Sequence, residues 1–403
     1  MTPEEWLAFD ESVRRKGLQD RGLLFDACSP NGYRREAAVA RIGGDRSLLP
    51  LLAVRAAGWV PQVRERSRRE CLKVLFQDPM VALDLFPLAA LLRRRLDGGW
   101  LAAQLEARIA APELLPLALA SEDRVVRRAA YASGRASHEQ LKKALRDPDL
   151  GIRLLAANAL VGSTDPEVRD LLRTSGTGAL RALGIQGDRD AAVAALADPS
   201  SIVRANAQWV LRRNGEDAAP HYRKRLPELG AVAGLGETGT ASDVPLLLPV
   251  LADERPKVRA EAARALARLG ELRALVPLLE DPAPRVVRRV RRALRTDPYL
   301  VDEGTLLRLL ERDRSPVQRG AAHALLCARN DWTRLVVDLR LLTAPDEPLA
   351  DDAREDLDNW FRHESARLYR GPREDQAREL RQLLTRAESR IGPHRARELR
   401  ARL

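Results

Sequence analysis

Six arginines between residues 285 and 295 form the part of this sequence best suited to chemistry, namely the binding of anions. In a helix, at about 100° per residue, the apolar residues of this stretch share one arc of about 120°: Val286, Val287, Val290, Ala293 and Leu294. The opposite arc holds Arg285, Arg288, Arg289, Arg291, Arg292 and Arg295. Because guanidinium groups bind carboxylate and phosphate oxygens, this face predicts a surface for an acidic protein or a phosphate backbone. The alternative is a solvated face, partly paired with acids such as Glu254 and Glu261.

Other arginines extend this candidate surface or form a second one. Arg259 precedes the stretch and Arg319 follows it, and we include both in the predicted binding surface. Nearer the N-terminus, Trp59 precedes a basic cluster from which we select Arg64 and Arg68 as candidate partner-binding residues. Trp59 could stack on a base or guard a pocket. The alternative is a tryptophan packed between helices.

A structural interpretation competes for some of these arginines. One arginine recurs in register with the aspartate of each turn, at Arg127, Arg153, Arg204, Arg259 and Arg288. This register predicts an Asp–Arg ladder between successive repeats, in which the aliphatic part of each arginine packs on the core. The ladder would use these side chains for folding rather than for binding.

No set of residues in the sequence has the spacing of a catalytic or metal site. The five histidines form no His-x3-His or His-Glu-x2-His pair. Neither a Gly-x4-Gly-Lys-Ser/Thr phosphate loop nor a Gly-x-Ser-x-Gly turn occurs. The three cysteines, Cys28, Cys71 and Cys327, lack metal or redox spacing. We therefore predict no catalytic residues, no metal and no cofactor.

The elements that must position the arginines come from a recurring unit. Asp147-Pro148-x4-Arg153 is repeated at Asp198-Pro199-x4-Arg204 and, with one more residue, at Asp281-Pro282-x5-Arg288. A unit that recurs every few tens of residues cannot bury its own apolar face, so it must stack on its neighbours. Asp and Pro favour helix starts, and Gly favours helix ends. These signals place the second helix of each pair near residues 31, 61, 98, 123, 149, 176, 200, 228, 255, 284 and 315.

The segment Pro256–Gly270 has the pattern Pro-x-Val-Arg-x2-Ala-x2-Ala-Leu-x2-Leu-Gly. It resembles the short HEAT repeat of bacterial proteins related to phycobilisome lyases, and the resemblance covers about residues 30–340. It implies an all-α, right-handed α-solenoid of about eleven helical pairs whose second helices line the concave surface. The arginines at 285–295 would then lie on an inner wall. Because this repeat serves many unrelated tasks, the resemblance implies no particular ligand.

The pattern divides the chain into three parts. We predict an N-terminal helical cap over residues 1–30, a HEAT-like solenoid over 31–343, and a charged C-terminal helical cap or extension over 344–403. The last part carries thin apolar stripes, which predict two or three amphipathic helices: Leu357, Phe361 and Leu368, then Leu380, Leu383 and Leu384. A mobile interaction tail is the alternative.

Composition limits the classes of partner. The net charge is +11, and all but six of the 68 basic residues are arginine, a bias that a GC-rich genome would also produce. The sequence contains no run of about 18 apolar residues, so it predicts no membrane span. The acidic N-terminus does not resemble a signal peptide. We predict a cytoplasmic, non-enzymatic scaffold that holds an acidic protein or peptide on an Arg-rich concave surface.

The alternative function is nucleic-acid binding. Some HEAT-like proteins resemble alkylpurine DNA glycosylases, which need an acid beside aromatic residues in a basic groove. Asp331-Trp332 and Asp358-Asn359-Trp360 contain these residue types. Neither segment has the acid and the tryptophan one helical turn apart on one face, so we expect neither Asp331 nor Asp358 to be catalytic.

Overall fold

The computed structural model describes residues 1–16, 22–42, 45–365 and 371–403. Within these ranges the regular elements are helices and no strand occurs, which confirms the predicted all-α class. Contacts group the chain into two compact units, Met1–Gly187 and Asp188–Leu403. The boundary falls inside the predicted solenoid at 31–343. Leu368, one of the residues predicted to form an apolar stripe, lies outside the described residues.

The first unit is built from helices of 5 to 17 residues. These are α1 (Pro3–Lys16), α2 (Leu23–Cys28), α3 (Gly32–Ile42), α4 (Leu49–Ala56), α5 (Pro61–Gln77), α6 (Val81–Leu92), α7 (Gly99–Ile109), α8 (Leu115–Leu119), α9 (Arg124–Ala132), α10 (His138–Ala144), α11 (Leu150–Ala159), α12 (Pro166–Arg173) and α13 (Gly178–Gly184). A short 3-10 helix, Arg46–Leu48, precedes α4.

The second unit continues with α14 (Arg189–Ala195), α15 (Ser201–Arg213), α16 (Ala219–Arg223), α17 (Leu229–Thr238), α18 (Val244–Leu247), α19 (Pro256–Arg268), α20 (Pro284–Leu294), α21 (Glu303–Leu309), α22 (Pro316–Cys327), α23 (Asp331–Thr343), α24 (Ala350–His363), α25 (Glu374–Ile391) and α26 (Pro393–Arg400). Its 3-10 helices are Ala241–Asp243, Leu248–Ala252, Arg273–Glu280 and Pro298–Leu300.

The predicted second helices agree with the structure. Each predicted start lies within one or two residues of an observed helix start, namely those of α3, α5, α7, α9, α11, α13, α15, α17, α19, α20 and α22. Local caps explain this agreement. The Ser315 side chain, for example, accepts a hydrogen bond from the Gln318 amide, and Pro316 occupies the first turn of α22.

Two predicted first helices differ from the α-helices expected. Leu272–Glu280 is observed as a 3-10 helix over Arg273–Glu280, and the second half of Val244–Leu251 is 3-10 as well. Pro277 and Pro249 lie inside these segments. Proline lacks the amide hydrogen and its ring clashes with the preceding turn of an α-helix, so these short segments use the tighter 3-10 turn.

Close packing around α17 fixes the helices that carry the arginine stretch. A Cβ on Gly236 would lie 2.5 Å from the Cβ of Ala265 in α19, and a Cβ on Gly234 would lie 2.1 Å from the Tyr222 ring. Both distances are too short for a side chain, so glycine is required at these contacts. Helix α19 packs in turn on α20.

The described C-terminal helices pack on α23 rather than extending into solvent. One core cluster joins the four helices α23 to α26 and includes the predicted Leu357, Leu380, Leu383 and Leu384. Trp360 of α24 is fully buried, and its indole Nε1 donates to Asp331 Oδ1 of α23 at 2.8 Å. The described C-terminal helices thus share one apolar core with α23.

Candidate arginine surface

Helix α20 presents the six arginines as the sequence predicted. Val286, Val287, Val290 and Leu294 are buried against the neighbouring helices. The opposite side is formed by Arg285, Arg288, Arg289, Arg291, Arg292 and Arg295, which are exposed or half-buried. We call these six residues the α20 arginine face.

The α20 arginine face forms no ion pair with the described residues. Among the described residues, none makes a side-chain hydrogen bond or an ion pair with any of the six arginines. Of the two acids considered as partners of the face, Glu261 instead accepts a hydrogen bond from Arg264 Nε of its own helix at 2.7 Å. Glu254 lines the same groove as Arg285 and Arg288 but forms no ion pair with them. Like charges on one helix face repel one another, so the face gains no stability from internal pairing.

A set of other arginines in the fold has partners and shares one helical position. The fourth residue is arginine in α3, α5, α9, α11, α13, α15, α19 and α22. In α3, α9, α11, α15 and α19 one guanidinium nitrogen of this residue donates to the carbonyls five and six residues earlier, as Arg259 Nη1 does to Asp253 and Glu254 at 2.8 and 3.1 Å. This contact ties the helix to the turn before it. We call the fourth residue of these helices the turn-binding position.

At some turn-binding positions the predicted ladder also forms. Arg259 Nε and Nη2 donate to both oxygens of Asp281 in the next turn, at 2.8 and 2.9 Å. Arg127 donates in the same way to Asp147 at 3.0 and 3.3 Å. Arg204 instead bonds Glu237 of α17, at 2.7 and 3.2 Å. The ladder prediction is therefore confirmed for Arg127 and Arg259, with a different carboxylate for Arg204.

Two residues of the predicted ladder do not follow it. Arg153 donates to its own turn, but no carboxylate of the described residues bonds it. Arg288 is the fifth residue of α20, one beyond the turn-binding position, which Val287 occupies. One residue rotates a side chain by about 100°, so Arg288 faces away from the turn. The ladder prediction was wrong for Arg288 because the unit at 281–288 is one residue longer.

The remaining predicted binding residues near α20 have internal partners. Arg259 is only 13% exposed in its Asp281 pair. Arg319 is buried and donates to the Leu310 carbonyl at 2.9 Å and to Glu347 at 2.6 Å. Both occupy the turn-binding position, and their donors are directed into the protein rather than towards solvent.

Of the three N-terminal candidates, the two arginines have partners within the fold, whereas the tryptophan is exposed. Arg64 donates to the Gly58 carbonyl and to Asp97, at 3.1 and 3.0 Å. Arg68 donates to the carbonyls of Ala56 and Asp97, and its guanidinium lies 4.9 Å from the centre of the Trp100 ring. In contrast, Trp59 is 74% exposed and lines a cavity rather than packing between helices.

Grooves run beside α20. One, of about 940 Å³, lies between the first turns of α19 and α20 and has apolar walls that include Leu229, Pro256, Val258 and Pro284. An adjoining groove of about 540 Å³ follows α20 itself. Its charged lining consists of Lys257, Glu261, Arg285, Arg288, Arg289, Arg291 and Arg292. Six cations face one carboxylate there, and that carboxylate already bonds Arg264.

The acids considered for a glycosylase site are engaged in the fold. Asp331 accepts from the buried Trp360, and Trp332 is buried in the same cluster. Asp358 pairs with Arg395 of α26. The aromatic rings beside these acids therefore belong to the core of the C-terminal helices.

One cluster was missed in the sequence. His323 and Cys327 lie one turn apart on α22, and His323 Nε2 approaches Asp338 Oδ1 of α23 at 2.6 Å. Burial raises the pKa of Asp338 to about 6. These three side chains could hold a metal ion, although the hydrogen bond alone accounts for their approach. The His-x3-Cys spacing was the available signal.

No helix of the described residues is both long enough and apolar enough to span a bilayer.

Comparisons with known proteins bear on the repeat and the fold. Among curated proteins, none matches the sequence. Solved structures similar to the chain include Kap121p bound to Nup53p (13% identity over 96% of this chain and 54% of that chain, TM-score 0.38). Kap121p bound to RanGTP is 16% identical over 94% of this chain and 51% of that chain, with a TM-score of 0.36. This chain thus spans about half the length of Kap121p.

An engineered protein is 19% identical over 84% of this chain and 97% of that chain, with a TM-score of 0.25. All three TM-scores are below 0.5, so these structures assign no partner to the chain. The family model for HEAT repeats matches residues 227–295, which contain α17, α19 and α20. The link to phycobilisome lyases stays a prediction, whereas the segment that carries the α20 arginine face and its grooves consists of HEAT repeats.

Proposed function

We propose that this chain is a non-enzymatic binding scaffold that holds an acidic protein or peptide segment on the α20 arginine face. One observation carries the proposal: the six arginines of the α20 arginine face bond no side chain of the described residues, whereas arginines at the turn-binding position bond backbone carbonyls or carboxylates. Side-by-side guanidinium groups repel one another unless an anion lies between them. A polyanionic partner would relieve this repulsion and form charge-assisted hydrogen bonds.

The grooves favour an acidic peptide with apolar side chains. An 11-residue helix such as α20 is about 16 Å long, which matches an extended peptide of about five residues. The apolar walls of the larger groove, such as Leu229 and Pro284, would bury apolar side chains of that peptide. Its carboxylates would reach Arg288, Arg291 and Arg292. A phosphate backbone offers charge but no apolar groups for these walls.

The proposal is tested by the anisotropy of labelled probes. The probes are a peptide that alternates Glu and Leu, the same peptide with Gln for Glu, and single-stranded and duplex DNA. The acidic peptide should bind most tightly, and a variant with R288Q, R291Q, R292Q and R295Q should weaken it by about 1–3 kcal/mol, the scale of charge-assisted bonds. DNA binding that exceeds peptide binding would assign the face to nucleic acid instead.

A matched variant controls for net charge. Arg212, Arg273, Arg378 and Arg386 are exposed in the same unit, and their side chains bond no described residue. R212Q, R273Q, R378Q and R386Q together remove the same charge without touching α20. This variant should retain most of the affinity, because exposed single charges contribute little. Equal losses in both variants would show that total charge, not the α20 arginine face, binds the probe.

A further inference from the structure

A second basic site lies in the other unit, around a hollow near the N-terminus. Two adjoining cavities of about 420 and 730 Å³ share Arg14, Arg35, Trp59 and Arg95 in their linings, and Arg55 lines the smaller one. These residues come from α1, α3, α4 and the segments after α4 and α6. Volumes of this size are typical of sites for small molecules.

The hollow contains more buried cations than anions. Arg35 and Arg55 are each only 3% exposed, and the one fully buried acid beside them is Asp10. Asp10 forms a short ion pair with Arg55 and a long one, 3.9 Å, with Arg14. We call Arg14, Arg35, Arg55 and Arg95 the N-terminal arginine pocket. Among the described residues, one buried carboxylate thus faces four guanidinium groups.

The other acids in the linings are already paired. Glu11 pairs with Arg15 at 2.6 Å. Asp97 accepts from Arg64 at 3.0 Å and lies 3.7 Å from Arg68. Neither acid is therefore available to balance the N-terminal arginine pocket.

Several donors of the pocket are unused. Arg55 Nε is buried and has no hydrogen-bond partner. The Arg95 side chain bonds no described residue, and the bonds of Arg35 run from its Nη1 to the carbonyls of Ser29 and Pro30. Burial lowers the pKa of Arg35 and of Arg95, and the nearby Arg55 and Arg14 lower both further. A buried cation that bonds no carboxylate, as Arg35 is among the described residues, and a buried donor without a partner, as Arg55 Nε is, are costly in a folded protein. This arrangement therefore favours an anion.

The walls indicate the rest of the ligand. Val54, Val60 and Val63 line the smaller cavity, and Leu7 lines the larger. Trp59 lines both and is 74% exposed. An exposed indole beside several guanidinium groups suits a planar ring that carries an anionic group, because the ring stacks on the indole while the anion is bound by arginines.

We propose that the N-terminal arginine pocket binds a small molecule that carries a phosphate group next to a planar ring, with the phosphate among the arginines and the ring on Trp59. Phosphate is favoured over a single carboxylate because it offers three oxygens and about two charges to the several free donors. The site is independent of the scaffold function, since the α20 arginine face belongs to the other unit.

Calorimetric titration of the full chain, in buffer free of phosphate and sulfate, tests the site. The probes are inorganic pyrophosphate, AMP and adenosine. AMP and pyrophosphate should bind saturably with micromolar to low millimolar Kd, and AMP should bind more tightly than pyrophosphate. Adenosine should not bind. No saturable binding of either phosphate probe, or adenosine binding as tightly as AMP, would overturn the proposal.

Matched variants place the ligand. R95Q should weaken the binding of AMP at least about tenfold, which corresponds to the loss of one charge-assisted bond. It should not lower the melting temperature, because no described residue bonds the Arg95 side chain. R94Q changes an exposed neighbour outside the cavity linings and should bind as the unchanged protein does. W59A should weaken the binding of AMP but not that of pyrophosphate. Equal AMP affinity in R95Q and R94Q would contradict the site.

Discussion

Two successive helices of the HEAT-repeat segment, α19 and α20, use arginine in opposite ways. Both begin with proline and bury matching apolar residues, Val258 with Val286 and Leu266 with Leu294. At the turn-binding position α19 has Arg259, which bonds two turns, whereas α20 has the buried Val287. The arginines of α20 lie instead on its open side. The same residue type therefore stabilises the stack at one helical position, and at others it bonds no side chain of the described residues.

The largest effect on stability should come from the paired arginine. R259A removes bonds to Asp281 and to two carbonyls and leaves a largely buried carboxylate unpaired, so the free energy of unfolding should fall by about 2–4 kcal/mol. R288A, on the exposed side of α20, should change it by less than about 0.5 kcal/mol. Urea unfolding measures both, and equal losses would remove the distinction between the two helices.

A smaller effect should follow from changing the acceptor. Asp281 also accepts from the Ala283 amide at 2.8 Å, and asparagine can keep that bond while losing the charge opposite Arg259. D281N should therefore lower the free energy of unfolding by about 1–2 kcal/mol.

Asp313 provides the control for D281N. It is exposed in the turn before α22, and no side chain of the described residues bonds it. D313N should be nearly neutral in the same urea titration. A neutral D281N would show that the ladder contributes nothing.

The smallest effect should be on the free energy of unfolding at acidic pH, through Asp243. A hydrogen bond from Arg223 holds the pKa of Asp243 below its usual range. A carboxyl whose pKa is lower in the folded state stabilises the protein above its unfolded pKa of about 4. That contribution is lost as the pH falls through the lowered folded value. Urea unfolding between pH 5 and 2.5 should show a shallower decline in D243N than in the unchanged protein, and identical slopes would contradict the pairing.

Local signals in the sequence predicted the helices well. The start of α22 follows from Ser315, Pro316 and Gln318, which interact within four residues of one another. The two-sided character of α20 follows from its 3.6-residue period alone. The 3-10 segments were missed because a single proline, such as Pro277, decides between two kinds of short helix.

Side-chain partners were harder to predict because they are chosen across repeats. Arg64 meets Asp97, 33 residues away, and Arg319 meets Glu347, 28 residues away. A one-residue insertion removed Arg288 from the ladder. The N-terminal arginine pocket joins residues as distant as Arg14 and Arg95, so no short motif could reveal it.

The most direct test of the account measures stability and affinity together in the R288Q, R291Q, R292Q and R295Q variant. Because no side chain of the described residues bonds these arginines, the free energy of unfolding should not fall by more than about 0.5 kcal/mol. Affinity for the acidic peptide should fall by about 1–3 kcal/mol. A clear loss of unfolding free energy with unchanged affinity would show that the α20 arginine face serves the fold, and would contradict the binding function.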